Sequence, residues 1–297
     1  MIDSDKLAEQ IAKDYLSDQC IRGLASEISA AVLDELEGEE VKREKYFAAY
    51  YKKLETHEVK FADMVRRHWM RQERIIIANL RKLKKAHMQK DAIDNVLPPK
   101  KEQEKKLAEE MKALLIAIIS ELGQEALDEM ELAIAFDVTI PEVRQWVDGY
   151  AFQFAEKIEA DSIDKLKRVI GDAMEEGKTI PEIIKDLRGQ FDDWSKYRAE
   201  MVARTEANRA STRANLEAWR QSGVVKKKRW YANPDACPFC KPLDGKIITL
   251  EETFFEKGDT HTATVDGKKR TMKLNYESVK GPPLHPFCRC SLLPLTK

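Results

Sequence analysis

No run of about 18 apolar residues occurs in this sequence, so no membrane-spanning helix is expected, and no charged-then-apolar leader is found. Net charge is nearly absent as well. Lys and Arg number 51 against 52 Asp and Glu, a formal charge of -1, so no global field steers the chain toward nucleic acid or an anionic membrane, and any such binding must be local. The cytoplasm is the default compartment on these grounds. A serine, histidine and acid set, a phosphate-cradling glycine loop and a paired-carboxylate motif of specific spacing are all missing, so no enzymatic activity is expected. Cysteine is scarce and uneven. Of five cysteines, Cys20 stands alone upstream, whereas Cys237, Cys240, Cys288 and Cys290 fall in the last 61 residues; in a reducing compartment such clustering favours metal ligation over disulfides.

What remains is a soluble, helix-rich composition. The 297 residues are 43% hydrophobic and 35% charged, with a mean hydropathy of -0.53. That length exceeds the roughly 100–200 residues of one domain and allows a sizeable core. The expected architecture is mainly α, with an elongated helical N-terminal arm at residues 1–97, a helical bundle at 98–222 and a small zinc-stapled α+β module, rich in β-structure, at 223–297.

Residues Phe61 to Lys85 mix apolar Met64, Trp69, Ile75, Ile76 and Leu80 with many bases; from Arg66 to Lys85 eight Lys or Arg face only Glu73. Such a run is read as a solvated helix face whose arginine stems cover apolar neighbours, or as a surface for phosphates or an acidic partner. Leu97-Pro98-Pro99-Lys100 breaks the helical pattern and is read as a linker. Beyond it, Leu107, Met111, Leu114, Leu115, Ile118 and Leu122 recur at spacings of three and four, an apolar stripe that Gly123 is expected to interrupt. Thr139-Ile140-Pro141-Glu142 and Thr179-Ile180-Pro181-Glu182 both read as helix starts, each with a capping threonine, a first-turn proline and a glutamate three residues on. Ala199, Ala203, Ala207, Ala210, Ala214 and Ala218 step along one face of a further helix and permit close packing, while Arg204, Glu206, Arg209 and Arg213 on its other faces are read as solvated or paired. The helical pattern stops at Ser222-Gly223. Strands are expected at 228–231, 246–249 and 271–274, with turns at Asp244-Gly245 and Asp266-Gly267.

Cys237-Pro238-Phe239-Cys240 can present two sulfurs to one tetrahedral ion from a tight turn, which is half of a zinc site. His285-Pro286-Phe287-Cys288-Arg289-Cys290 supplies an imidazole and two thiols for the other half, giving five candidates for four positions. Cys237, Cys240, His285 and Cys288 are the first choice, because His285 and Cys288 repeat the spacing of the first pair. Cys290 would point to the same side of an extended segment as Cys288 and is the substitute. A closed four-ligand site leaves no position for water, so the zinc is read as structural. His261 is read as a lone, solvent-facing loop histidine and stands outside the set.

Ala203-Arg204-Thr205-Glu206, Trp230, Cys237-x-x-Cys240, Leu243-Asp244-Gly245-Lys246, Pro282-Pro283 and His285-Pro286-x-Cys288-Arg289-Cys290 together resemble the phage Mu F-like minor head protein family, also called phage head morphogenesis proteins, over about residues 160–295. The resemblance implies a low-copy virion protein of the capsid interior, associated with the portal and major capsid proteins, present in the host cytoplasm during assembly and linked in some members to packaged DNA or its delivery. Some relatives carry toxin or enzyme domains after the shared region; here no such domain is expected, since the sequence stops within a few residues of Cys290. The alternative is a nucleic-acid-binding module without sequence preference, using Arg66–Lys85 and Lys226-Lys227-Lys228-Arg229 on phosphates. A metal-dependent nuclease using His285 or His261 is a third reading.

Overall fold

A computed structural model describes residues 19–83 and 93–296, and side chains from residue 39 onward within them. Lys84 and Lys85 of the basic run, and the side chain of Cys20, lie outside the described residues. The chain is mainly helical with a small C-terminal sheet region, as its periodicities imply. In order come α1 (Gln19–Lys82), α2 (Ile93–Val96), α3 (Lys100–Asp128), α4 (Pro141–Glu175), α5 (Ile180–Asp193), one π-helical turn (Trp194–Arg198) and α6 (Ala199–Ser222). Strands β1 (Lys227–Tyr231), β2 (Ile247–Thr249), β3 (Thr260–Val265), β4 (Lys268–Lys273) and β5 (Ser291–Leu295) follow.

Two compact units divide inside α1, one ending at Lys52 and one beginning at Lys53. In the first, Tyr46, Phe47, Tyr50 and Tyr51 lie on successive helix turns and their rings meet, with Tyr46 stacked on Tyr50 at 6.0 Å and edge-on to Phe47 at 5.1 Å.

In the second unit the apolar stripes do what their spacing implies. Leu107, Met111, Leu115, Ile118 and Leu122 of α3 are buried, and α3 packs against α4 and α6. All six alanines of the α6 stripe are buried, so the backbones of α3 and α6 can approach closely. From α1, Phe61, Met64, Trp69, Ile76 and Leu80 join this core. A polar cluster lies inside it: Gln72 donates to both oxygens of Glu159 at 2.9 and 2.8 Å, and His68 bonds the same carboxylate, all three residues being buried. The π-helical turn widens the helix just where Trp194 meets Trp69 and Phe191. Arg198 then lies over the Trp69 and Trp194 rings and bonds Ser162.

Three local expectations are corrected. Gly123 does not interrupt the helix; α3 runs through it to Asp128, and the missing side chain makes room for Phe136, whose ring would lie 2.6 Å from a Cβ there. Thr139 does not cap α4, because its hydroxyl and amide both donate to Asp137 and Ile140 takes the cap position. At α5 the expected cap is present, with Glu182 accepting from the Thr179 amide at 2.7 Å. The basic run is only partly solvated: Arg66 donates to the Ser195 carbonyl at 3.0 Å and Arg71 pairs with Glu110 at 2.8 Å, whereas Arg67 and Arg74 are exposed.

After Gly223, whose φ of 68° closes α6 in the left-handed conformation, β1 pairs antiparallel with β2 and β5 in the order β2-β1-β5. The strands β3 and β4 form a separate hairpin joined by Asp266 and Gly267, both with positive φ, as a two-residue hairpin loop of matching twist requires. Leu216 and Trp219 of α6 share one apolar core with Trp230, Leu243, Leu250, Phe254, Leu274, Leu284 and Leu292.

Alanine at position 123 sets propensity against sterics. Propensity alone favours Gly123→Ala by about 1 kcal/mol, but the clash with Phe136 belongs to the overpacking class that costs about 1–3 kcal/mol. Thermal denaturation should show Gly123→Ala lowering Tm, and the gain from alanine should return in a Phe136→Ala background. A Tm raised by Gly123→Ala alone would contradict this packing.

Candidate metal centre

Both ligand-bearing segments are tight turns. Amides of Cys240 and Lys241 donate to the Cys237 carbonyl at 2.9 and 3.0 Å, and the Cys288 amide donates to the His285 carbonyl at 3.1 Å. Residues three apart across such turns project to the same side. Phe287 takes the left-handed conformation, with φ 61°, to complete the second turn. The two turns then face one another.

His285 Nε2 lies 3.1 Å from the Cys237 sulfur and 3.2 Å from that of Cys240, and the Cys240 and Cys288 sulfurs are 3.8 Å apart. Cys237, Cys240 and His285 form one group with donor atoms within 4.8 Å of one another, and Cys240, Cys288 and Cys290 form a second. Cys240 belongs to both. Zinc–sulfur bonds of about 2.3 Å in a tetrahedron place two sulfurs about 3.8 Å apart and a sulfur and a nitrogen about 3.6 Å apart. The Cys240–Cys288 edge meets that value, and the imidazole needs to withdraw by only a few tenths of an ångström. His285 Nδ1 donates to the Pro286 carbonyl at 2.7 Å, which leaves Nε2 with its lone pair toward the thiols, the tautomer a metal ligand requires. The five candidate residues thus fall into two overlapping groups joined at Cys240, and their sulfur and imidazole donors are of the kinds that zinc takes. Contact with Cys240 and Cys290 holds the Cys288 thiol well below the ordinary thiol range, while Cys288 and Cys290 push Cys240 far above it.

The second turn is held from α6. Asn208, buried on α6, donates to the Cys288 carbonyl at 2.6 Å and the Cys290 carbonyl at 3.1 Å. Thr205 accepts from the Phe287 amide at 3.1 Å and donates to the Met201 carbonyl. Arg204 covers the Phe287 ring, and Glu58 lies within 3.8 Å of Arg204 and 3.6 Å of Arg289. Sequence reading singles out neither Asn208 nor the role of Thr205. The available signal is a threonine and an asparagine three residues apart along the alanine-rich helix, where a polar side chain has backbone to satisfy.

His261 is not a loop residue. It stands in β3, half-buried against Phe255 and Phe239, and donates from Nε2 to the Phe239 carbonyl at 2.7 Å, bracing the first turn instead of offering a ligand. Arg and Glu residues of α6 are paired, as expected: Arg204 with Glu200, Arg209 with Glu206 and Glu277, and Arg213 with Glu217. Beside His285 opens a cleft of about 520 Å³ whose wall includes Tyr150, Glu206 and Arg209. Burial raises the Glu206 carboxyl above its usual range, Arg209 opposes the shift, and Tyr150 donates to it at 2.7 Å.

Asn208→Leu keeps the branched outline of the side chain but leaves two buried carbonyls without a donor, a loss of about 2–3 kcal/mol from the hydrogen bonds and the desolvation left behind. A lower Tm and faster modification of Cys288 and Cys290 by a thiol reagent are expected. Unchanged thiol reactivity would mean that α6 does not hold this turn.

Residues 164–293 match the family model described as phage Mu protein F like protein. The uncharacterized protein YqbB of Bacillus subtilis (strain 168) is 29% identical over 168 residues, covering 54% of this chain and 53% of that protein. The match therefore spans about half the length of this curated relative. No solved structure matches the chain at a significant level. The matched region begins within α4, includes the whole of α6 with Thr205 and Asn208, takes in all five candidate ligands and ends in β5. Over residues 164–293 this chain is similar to the phage Mu protein F like family.

Proposed function

We propose that the chain is a phage minor head protein, acting in head morphogenesis from the capsid interior near the portal, with portal and major capsid proteins as its partners. In this reading Cys237, Cys240, His285 and Cys288 hold one structural zinc ion, and Cys290 is the substitute ligand. The observation that carries the reading is the coincidence of the family match with one structural unit: α6, the β-strands and both ligand turns fall within residues 164–293 or end beside it. Zinc in a closed site of four protein ligands supplies folding free energy and no open coordination position, so the ion's part is to tie the turns together. The protein's own contribution is to hold the donors: α6 fixes the second turn, and β3 braces the first.

Quantitative mass spectrometry of proheads and mature particles from the producing phage or prophage tests the assignment by counting this chain against the portal protein. Low-copy incorporation into both is expected. Absence from both particles would end the head-protein reading.

A further inference from the structure

Basic residues in this chain divide into those the fold uses and those it leaves free. Arg66 and Arg71 are engaged, and in the second basic stretch Lys226 donates to the Gly223 carbonyl at 2.9 Å. Lys228 is fully buried and donates to the Leu250 and Glu252 carbonyls at 2.8 and 2.7 Å, so it contributes nothing to a surface field. Arg229 lies over the Tyr231 ring. The β3–β4 hairpin is the opposite case. Lys268, Lys269, Arg270 and Lys273 are all exposed and have no ion-pair partner among the described residues.

Strand alternation divides the hairpin into two faces. His261, Ala263 and Met272 lie on the face turned to the module, where Ala263 is buried, Met272 packs on the apolar core and His261 bonds Phe239. Its other face is built from the cross-strand pairs Thr260 with Lys273, Thr262 with Thr271, and Thr264 with Lys269, every one of them exposed. Thr262 and Thr271 share a hydrogen bond of 2.9 Å across the pair. This outer face therefore presents four hydroxyls and two ammonium groups, with no carboxylate and no large apolar side chain.

That chemistry selects among partners. A protein interface draws its energy from a buried aromatic or aliphatic anchor, which this face does not have. Phosphate oxygens need only cations and hydroxyl donors, and a two-stranded ribbon is narrow enough for a duplex groove about 12 Å wide. We propose that the outer face of the hairpin, through Lys269, Lys273 and its threonines, contacts the phosphate backbone of duplex nucleic acid without sequence preference. Lys268 and Arg270 add to the local field from the same strand. The inference deepens the head-protein reading, which places the chain beside packaged DNA. Its test uses the purified chain, so its failure and the failure of particle incorporation are separate results. Lysines on a strand of this kind also discourage edge-to-edge strand pairing. Charge reversal preserves that protection while removing the attraction for phosphate.

The experiment is fluorescence anisotropy of a labelled random-sequence duplex with the full chain, between about 50 and 200 mM salt. Wild-type chain should bind, and Lys269→Glu/Lys273→Glu should weaken binding at least tenfold and lower the salt slope by about 2, one for each lysine that no longer neutralises a phosphate. Circular dichroism melts of the same samples check that the variant is folded; both positions are exposed, so its Tm should match the wild type. Arg67→Glu/Arg74→Glu, on the exposed face of α1, should bind as the wild type does. No binding by the wild type at the lowest salt, or equal binding by the hairpin variant, would overturn the proposal. Weakening confined to the α1 variant would also overturn it, as would competition by polyglutamate as effective as by unlabelled duplex, which would assign the face to an acidic protein.

Discussion

The C-terminal half of the molecule depends on the meeting of two short turns 48 residues apart in sequence, one carrying Cys237 and Cys240 and the other His285 and Cys288. Neither turn is held by a long strand ladder, and the sheet beside them has strands of only three to five residues. Their position comes from three sources acting together. Apolar burial of Trp230, Leu284 and Leu292 forms a floor shared with α6. Hydrogen bonds from Asn208 and Thr205 fix the second turn, and His261 fixes the first. Thiols and imidazole then face each other in two groups that share Cys240 and could hold a metal ion. An ion there would oppose the separation of segments that otherwise rely on a small core.

Helix α6 is the link between the helical bundle and this site. One of its faces carries alanines, which let it lie close against α3, and buried Thr205 and Asn208 reach the ligand turn from the same helix. The module is therefore not an independent appendage: Leu216 and Trp219 of the helix are part of its core. The family match begins within α4, well before Cys237, and so includes the helix that holds the ligand turn.

Much of this was legible in the residues because it obeys short-range rules. Stripes with spacings of three and four marked the helices, Gly223 and the paired prolines marked two of the breaks, and Asp266-Gly267 marked a turn whose backbone needs positive φ. The cysteine and histidine spacings pointed to the residues that form the two donor groups sharing Cys240. What stayed hidden depends on distant partners. Gly123 reads as a breaker until Phe136 is seen against it. Strand β3 reads as a polar loop because one face is threonine and the other buries only Ala263 deeply, and β5 contains Pro294, tolerated because β5 is an edge strand. Basic stretches looked alike in sequence, yet Lys228 is buried among carbonyls whereas Lys269 and Lys273 are in solvent. Charge that counts for recognition is the charge left over after folding.

If one ion closes the two turns, X-ray absorption at the zinc edge, on chain purified without added chelator and paired with metal analysis, will see it. One zinc per chain, bound by three sulfurs at about 2.3 Å and one nitrogen at about 2.0 Å, is the predicted result. Four sulfurs and no nitrogen would transfer the fourth position from His285 to Cys290. A chain that is metal-free as purified and takes up no zinc, yet melts cooperatively with its C-terminal thiols protected, would contradict a zinc-closed site.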